Sequence, residues 1–161
     1  MNLAIRWNQI INDPVFRDLP FKVELNKFGQ ILMSPASNWH GVAQSEIVQI
    51  MTKKKKKGKV INECSIMTRD GVRVADVAWA SDEFIKKHGF TTPYPVSPDI
   101  CVEIYSPSNT REEIEGKASL YLLAGASEVW IVKHGSPVQI LTHNNVVIPE
   151  SRIVGKFKFR I

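Results

Sequence analysis

Apolar residues run through this chain in two rhythms, and the changes of rhythm mark its elements. KVINECSIM (residues 59–67), VRVADVAWA (72–80), ICVEIY (100–105) and EVWIVK (128–133) are short, dense apolar runs bounded by turn residues. Runs of that length read as buried strands. FKVELN (21–26) and QILMSP (30–35) are weaker runs on either side of Lys27-Phe28-Gly29, a hairpin with Gly29 in its turn. Asp70-Gly71 between the next two runs is a second hairpin signal.

The other rhythm is helical. A short helix is expected from Trp7 to Phe16, disrupted at Pro14. Ser37 or Asn38 can cap a helix over His40 to Met51, with Val42, Ile47, Ile50 and Met51 at roughly helical spacing. Thr110-Arg111-Glu112-Glu113 is a capping box that opens a helix running to about Ala124, where Gly125 stops it. Residues 81–98 interrupt the pattern: a short helical piece, then Gly89 and three prolines, forming a surface excursion that is either a connector or a substrate-facing loop. PVQILTH (137–143), a turn at Asn144-Asn145, VVI (146–148) and the alternating tail KFKFRI (156–161) add strand character at the end. A helix between the strands at 100–105 and 128–133 makes that pair parallel. The fold class is therefore α/β, an α+β mixed sheet.

The length of 161 residues suits one domain spanning 1–161. The formal charge of +5 is local: Lys53, Lys54, Lys55, Lys56 and Lys57 supply the whole excess over the 16 acidic residues. That run reads either as a phosphate contact or as a solvated helix end complementing the helix dipole. Cys64 and Cys101 have no zinc-type spacing and read as buried free thiols of a reducing compartment. The first 20 residues lack a basic region followed by an apolar run, and no stretch is long and apolar enough to span a bilayer. A cytoplasmic protein without membrane contact is expected.

Two carboxylates stand out because they sit in apolar strands. Asp76 lies mid-run among valines and shares a face with Val74 and Ala78; Glu103 shares a face with Cys101 and Tyr105. Burying a carboxylate there is costly unless it is paired, hydrogen-bonded or bound to metal. On neighbouring strands their side chains would lie about 5 Å apart, close enough to hold one magnesium ion through hard oxygen ligands. Asp99 lies four residues from Glu103, about 13 Å along an extended strand, too far to share that ion. Lys117 lies on one side of the capped helix with Ile114 and Tyr121. It reads either as a cation that orients water and offsets charge on phosphate, or as a lysine snorkelling past apolar neighbours or pairing with Glu113. Glu24 and His40 are candidates for supporting or additional ligands.

These residues resemble the Uma restriction-endonuclease family of the PD-(D/E)XK nuclease superfamily. The matching pieces are VELNKFGQILMSP with His40, VRVADVAWA, and PDICVEIYSPSNTREEIEGKASLYLLAGASEVWIV. The resemblance implies a restriction-endonuclease-like αβββαβ core with additional N-terminal and C-terminal strands. It assigns Asp76 and Glu103 as catalytic metal ligands, with the Ile104 carbonyl as a further ligand. The superfamily's lysine two positions after the glutamate is Tyr105 here, and Lys117 matches the lysine of this family's helix. The expected activity is Mg2+-dependent cleavage of DNA, with Mn2+ able to substitute, by a homodimer whose two sites cut two strands. The alternatives are a nuclease-fold protein that binds nucleic acid without cutting it, and a scaffold in which the acidic pair is structural.

Overall fold

The computed structural model describes every residue except Arg160. Asn2 caps α1 (Leu3–Asn12) by accepting from the backbone N–H groups of Ala4 and Ile5. This helix begins earlier than the spacing suggested, because a local cap outweighs the weak apolar pattern. Pro14 does not kink α1 but opens a separate 3-10 turn over Pro14–Phe16, capped by Asp13. Strands β1 (Phe21–Leu25) and β2 (Ile31–Pro35) then form the expected hairpin, which is a two-stranded sheet of its own.

Ser37 caps α2 (Asn38–Lys54). Next come β3 (Lys59–Thr68), β4 (Gly71–Ala80), α3 (Asp82–His88), β5 (Ile100–Ile104), α4 (Arg111–Leu123), β6 (Glu128–Val132), β7 (Gln139–Thr142) and β8 (Val146–Ile148). Strands β3 to β8 pair in sequence order into one six-stranded sheet. Every neighbour is antiparallel except β5 and β6, which are parallel across the α4 crossover. The capping box of α4 is present in both directions, Thr110 to Glu113 and back. From α2 to β6 this is the αβββαβ order with α3 inserted between its second and third strands, β1–β2 before it and β7–β8 after it. No described helix is long and apolar enough to cross a membrane.

The sheet separates two apolar layers. On one face Ala78, Cys101, Val129 and Ile131 pack against Ile114, Ala118, Tyr121 and Leu122 of α4. On the other, Val77, Val102, Trp130 and Val132 meet Ala43, Ile47 and Met51 of α2. That second face is also covered by the tail, where Phe157 stacks on Trp130 with ring centroids 4.6 Å apart. Phe157 and Phe159 pack against this face and Lys156 and Lys158 are exposed, so residues 156–159 keep their alternation but form no strand; Arg160 of the same motif lies outside the described residues. What fixes this segment is Glu128. Its carboxylate is buried and accepts from Trp130 Nε1 (2.9 Å), Ser151 Oγ (2.7 Å) and the backbone N–H groups of Arg152 (2.7 Å) and Ile153 (3.3 Å).

A third small core joins the hairpin to the sheet. Trp7 and Ile10 of α1 and Leu25 of β1 bury Val72 and Val74 of β4. This is why all ten positions of β4 are buried rather than alternate ones. The approach is close at Gly71, whose φ is +104° and whose missing Cβ would fall 2.1 Å from the Leu25 carbonyl oxygen. Only glycine permits both that backbone and that contact.

Candidate active site

The site forms where two strands part. β4 pairs with β5 over only Val77, Ala78 and Trp79, opposite Val102, Cys101 and Ile100. Beyond Val77 the strands splay, which leaves backbone donors in the fork without a partner strand. Carboxylates take those donors: Asp76 Oδ2 accepts from the Ile104 N–H at 2.7 Å, and Glu24 Oε1 accepts from the Val74 N–H at 2.8 Å. Asp76 and Glu103 sit on the sheet face that carries Ala78 and Cys101, towards α4. Both are almost wholly buried, at 1% and 2% exposure.

Two lysines compensate this buried charge. Lys22 Nζ lies 2.6 Å from Asp76 Oδ1 and 3.7 Å from Glu103 Oε2. Lys117 Nζ lies 2.9 Å from Glu103 Oε2 and 2.9 Å from Glu24 Oε1. Tyr121 donates its hydroxyl to the other Glu103 oxygen at 2.7 Å. His40, at the start of α2, places Nε2 3.3 Å from Asp76 Oδ1. One turn on, Gln44 donates to the Asp76 carbonyl at 2.8 Å and to Glu63 at 3.0 Å. Glu63 stands opposite Asp76 at a break in the β3–β4 ladder, with a φ of +51°.

The environments push the two carboxyls apart. For Asp76, burial acts to raise the pKa, but Lys22, His40 and Lys117 together outweigh it and hold the group well below the usual carboxylate range. Burial raises Glu103, and the neighbouring Asp76 and Glu24 add to the rise against Lys117 and Lys22. Glu24 ends lowered, because Lys117, Lys22 and the Val74 N–H overcome its burial. Lys22 is raised, since the surrounding carboxylates overcome burial. Titratable groups driven in opposite directions within one cleft are a common mark of a functional site.

A cleft of about 520 Å3 opens onto this cluster, bounded by Lys22, His40, Asp76, Glu103, Ile104 and Lys117. The structure therefore brings together Asp76, Glu103, Ile104, Lys117, Glu24 and His40. It does not bring in the lysine run. Lys53 and Lys54 end α2, Lys55 stacks on Trp79 and donates to the Ile153 carbonyl, and none of Lys53 to Lys57 borders the cleft. Tyr105, standing where the superfamily has lysine, lies beneath the Lys133 ammonium instead. Asp99 accepts from the Ser81 N–H at the start of β5 and is apart from the cluster. Sequence reasoning missed Lys22, Gln44 and the Tyr121–Glu103 bond. The signal for Lys22 was available: it stands two residues before Glu24 in a strand and so shares its face.

The donor set suits a hard cation. Asp76 and Glu103 already converge on one positive centre, the Lys22 ammonium. Among the described residues no group of three His, Cys, Asp or Glu side chains could enclose a metal ion. Magnesium does not need such a cage, because it retains several waters and binds through one or two carboxylates.

A mixed sheet in αβββαβ order, with one helix inserted, is a restriction-endonuclease-like fold. The chain belongs to the Uma2 family, described as "Putative restriction endonuclease", whose model matches residues 14–152. Among solved structures, a "putative nuclease belonging to DUF820" from Anabaena variabilis ATCC 29413 shares the fold. Its TM-score is 0.62 at 16% identity, over 82% of this chain and 83% of its own. No curated protein matches the chain.

Proposed function

We propose that this protein is a divalent-metal-dependent endodeoxyribonuclease that hydrolyses DNA phosphodiester bonds. The observation that carries the reading is the convergence of Asp76 and Glu103 on one cationic position, with Lys117 2.9 Å from Glu103, inside an open cleft. Asp76, Glu103 and the Ile104 carbonyl would hold Mg2+, or Mn2+ in its place. When bound, such an ion polarises the phosphodiester and lowers the pKa of a coordinated water.

The chain's own groups do the rest. Lys117 orients the attacking water and offsets charge building on the phosphate. Glu24 holds that lysine from its far side, so the ammonium is fixed between two carboxylates. Tyr121 and His40 fix the orientations of Glu103 and Asp76. Lys53, Lys54, Lys56 and Lys57 add phosphate contacts outside the cleft, Lys55 being engaged by Trp79 and the Ile153 carbonyl, and a homodimer presents two clefts to two strands. The two free cysteines suit a reducing cytoplasm.

The test is cleavage of supercoiled and linear DNA with Mg2+, Mn2+ or EDTA, beside Asp76→Ala, Glu103→Ala and Lys117→Ala proteins checked for folding by circular dichroism. Cutting that needs metal and disappears in all three variants is the expected result. Full activity in Asp76→Ala, or cutting untouched by EDTA, overturns the mechanism. DNA retardation without cutting in any metal establishes the non-cleaving binder instead.

A further inference from the structure

Lys22 has no place in the reaction as described, yet it makes the shortest ion pair to Asp76, at 2.6 Å. Two carboxylates in a desolvated fork repel one another and need a positive charge between them. Lys22 supplies it, in contact with Asp76 and 3.7 Å from Glu103. We propose that Lys22 is a resident counter-cation that a divalent metal must expel, and that it thereby sets the metal affinity of the site. The inference rests on the metal-site reading above.

The geometry distinguishes Lys22 from Lys117. Lys117 bonds the Glu103 and Glu24 carboxylates and makes no ion pair with Asp76. It can stay when a metal arrives between Asp76 and Glu103. Lys22 cannot, because an ion accepting from both of those carboxylates needs the space its ammonium fills. It also has a way out. Its side chain is 14% exposed and borders the cleft, and a lysine stem carries four rotatable carbons. The lysine keeps the metal-free fork neutralised and intact, at the cost of weakened metal binding. Apparent affinity scales with the fraction of molecules whose lysine has left, so a lysine that stays in place weakens binding.

The experiment is Mn2+ binding to the whole protein followed by electron paramagnetic resonance, in which free Mn2+ is counted directly. Wild type is compared with Lys22→Met and Lys22→Gln, the second retaining polarity should the first fold poorly, and with Asp76→Asn. A lysine resident in about nine-tenths of molecules predicts binding about tenfold tighter in either Lys22 variant than in wild type. Tightening in a Lys22 variant together with loss in Asp76→Asn supports the proposal. Wild-type binding as tight as, or tighter than, that of both Lys22 variants overturns it while leaving the metal site standing. Absence of Mn2+ binding at millimolar concentration in wild type and both Lys22 variants removes the metal site, and this proposal with it.

Discussion

Glu128→Gln is a one-atom change far from the cleft, and its cost can be worked from the contacts. The carboxylate accepts from four donors: Trp130 Nε1, Ser151 Oγ and the backbone N–H groups of Arg152 and Ile153. A glutamine offers one acceptor oxygen and an NH2 group that can only donate. The better orientation gives its oxygen to the two backbone N–H groups and turns NH2 towards Ser151 and Trp130. The serine hydroxyl can accept by releasing the Ile153 N–H (3.2 Å), which keeps the glutamine oxygen as partner, but the indole N–H cannot accept. One buried donor is then orphaned, at about 1–3 kcal/mol, and the surviving bonds lose their charge assistance, about 1 kcal/mol more. The neutral amide escapes part of the carboxylate's desolvation cost, which trims the upper end. The net expectation is about 2–3 kcal/mol. For a chain of this size that is roughly 4–12 °C in melting temperature. Scanning calorimetry measures it, and near-ultraviolet circular dichroism should show Trp130 losing its fixed stack on Phe157. A melting temperature within about 2 °C of wild type, with an unchanged aromatic spectrum, refutes the accounting.

Three further outcomes follow from geometry. Gly71→Ala puts a Cβ 2.1 Å from the Leu25 carbonyl at a φ of +104°, so the β1–β2 hairpin should be dislodged from β4. A thermal melt should drop, and protease should cut near residues 26–30; an undisturbed melt contradicts the contact. Tyr121→Phe removes the hydroxyl that Glu103 accepts at 2.7 Å and should cost about 1.5–3 kcal/mol in urea unfolding; under about 0.5 kcal/mol would mean the bond is not formed. Burial pushes the Cys64 thiol up to about 12 and raises Cys101 well above the usual thiol range. A raised folded pKa keeps the thiol protonated as pH rises, so at pH 8 a disulfide reagent should label neither cysteine until denaturant is added; prompt labelling of the native protein is the contrary result.

Most of the sheet was legible because its strands are dense apolar runs divided by turn chemistry. Asp70-Gly71 and the Thr110 capping box are local signals that tertiary packing had no reason to override. Asp76 and Glu103 were legible for the opposite reason, as polar residues where polarity is expensive. What the sequence concealed was context supplied from a distance. The N-terminal start of α1 depends on one asparagine side chain, and the tail's alternation ends as packing because Glu128, far earlier in the chain, captures its turn. The lysine run was conspicuous by composition, yet Lys55 spends its charge on a tryptophan face and a backbone carbonyl. Lys22, a single ordinary lysine, lies at the centre of the cluster. Charge density along the chain and charge proximity in space are separate quantities.

The hairpin that carries Lys22 and Glu24 also sets an order of events during synthesis. Lys22 waits 54 positions for Asp76, and Glu24 waits 50 for Val74. At about 5–20 residues per second, that is a delay of roughly 3–10 s on the ribosome. Glu103 emerges later, and Lys117, 14 positions after it, later again. A nascent chain, or one stopped before Lys117, thus holds only some of the charges and not the closed cluster. The proposed cutting centre comes into being only after α4 has been made and has docked, so a copy that stops short of α4 lacks the lysine of that centre.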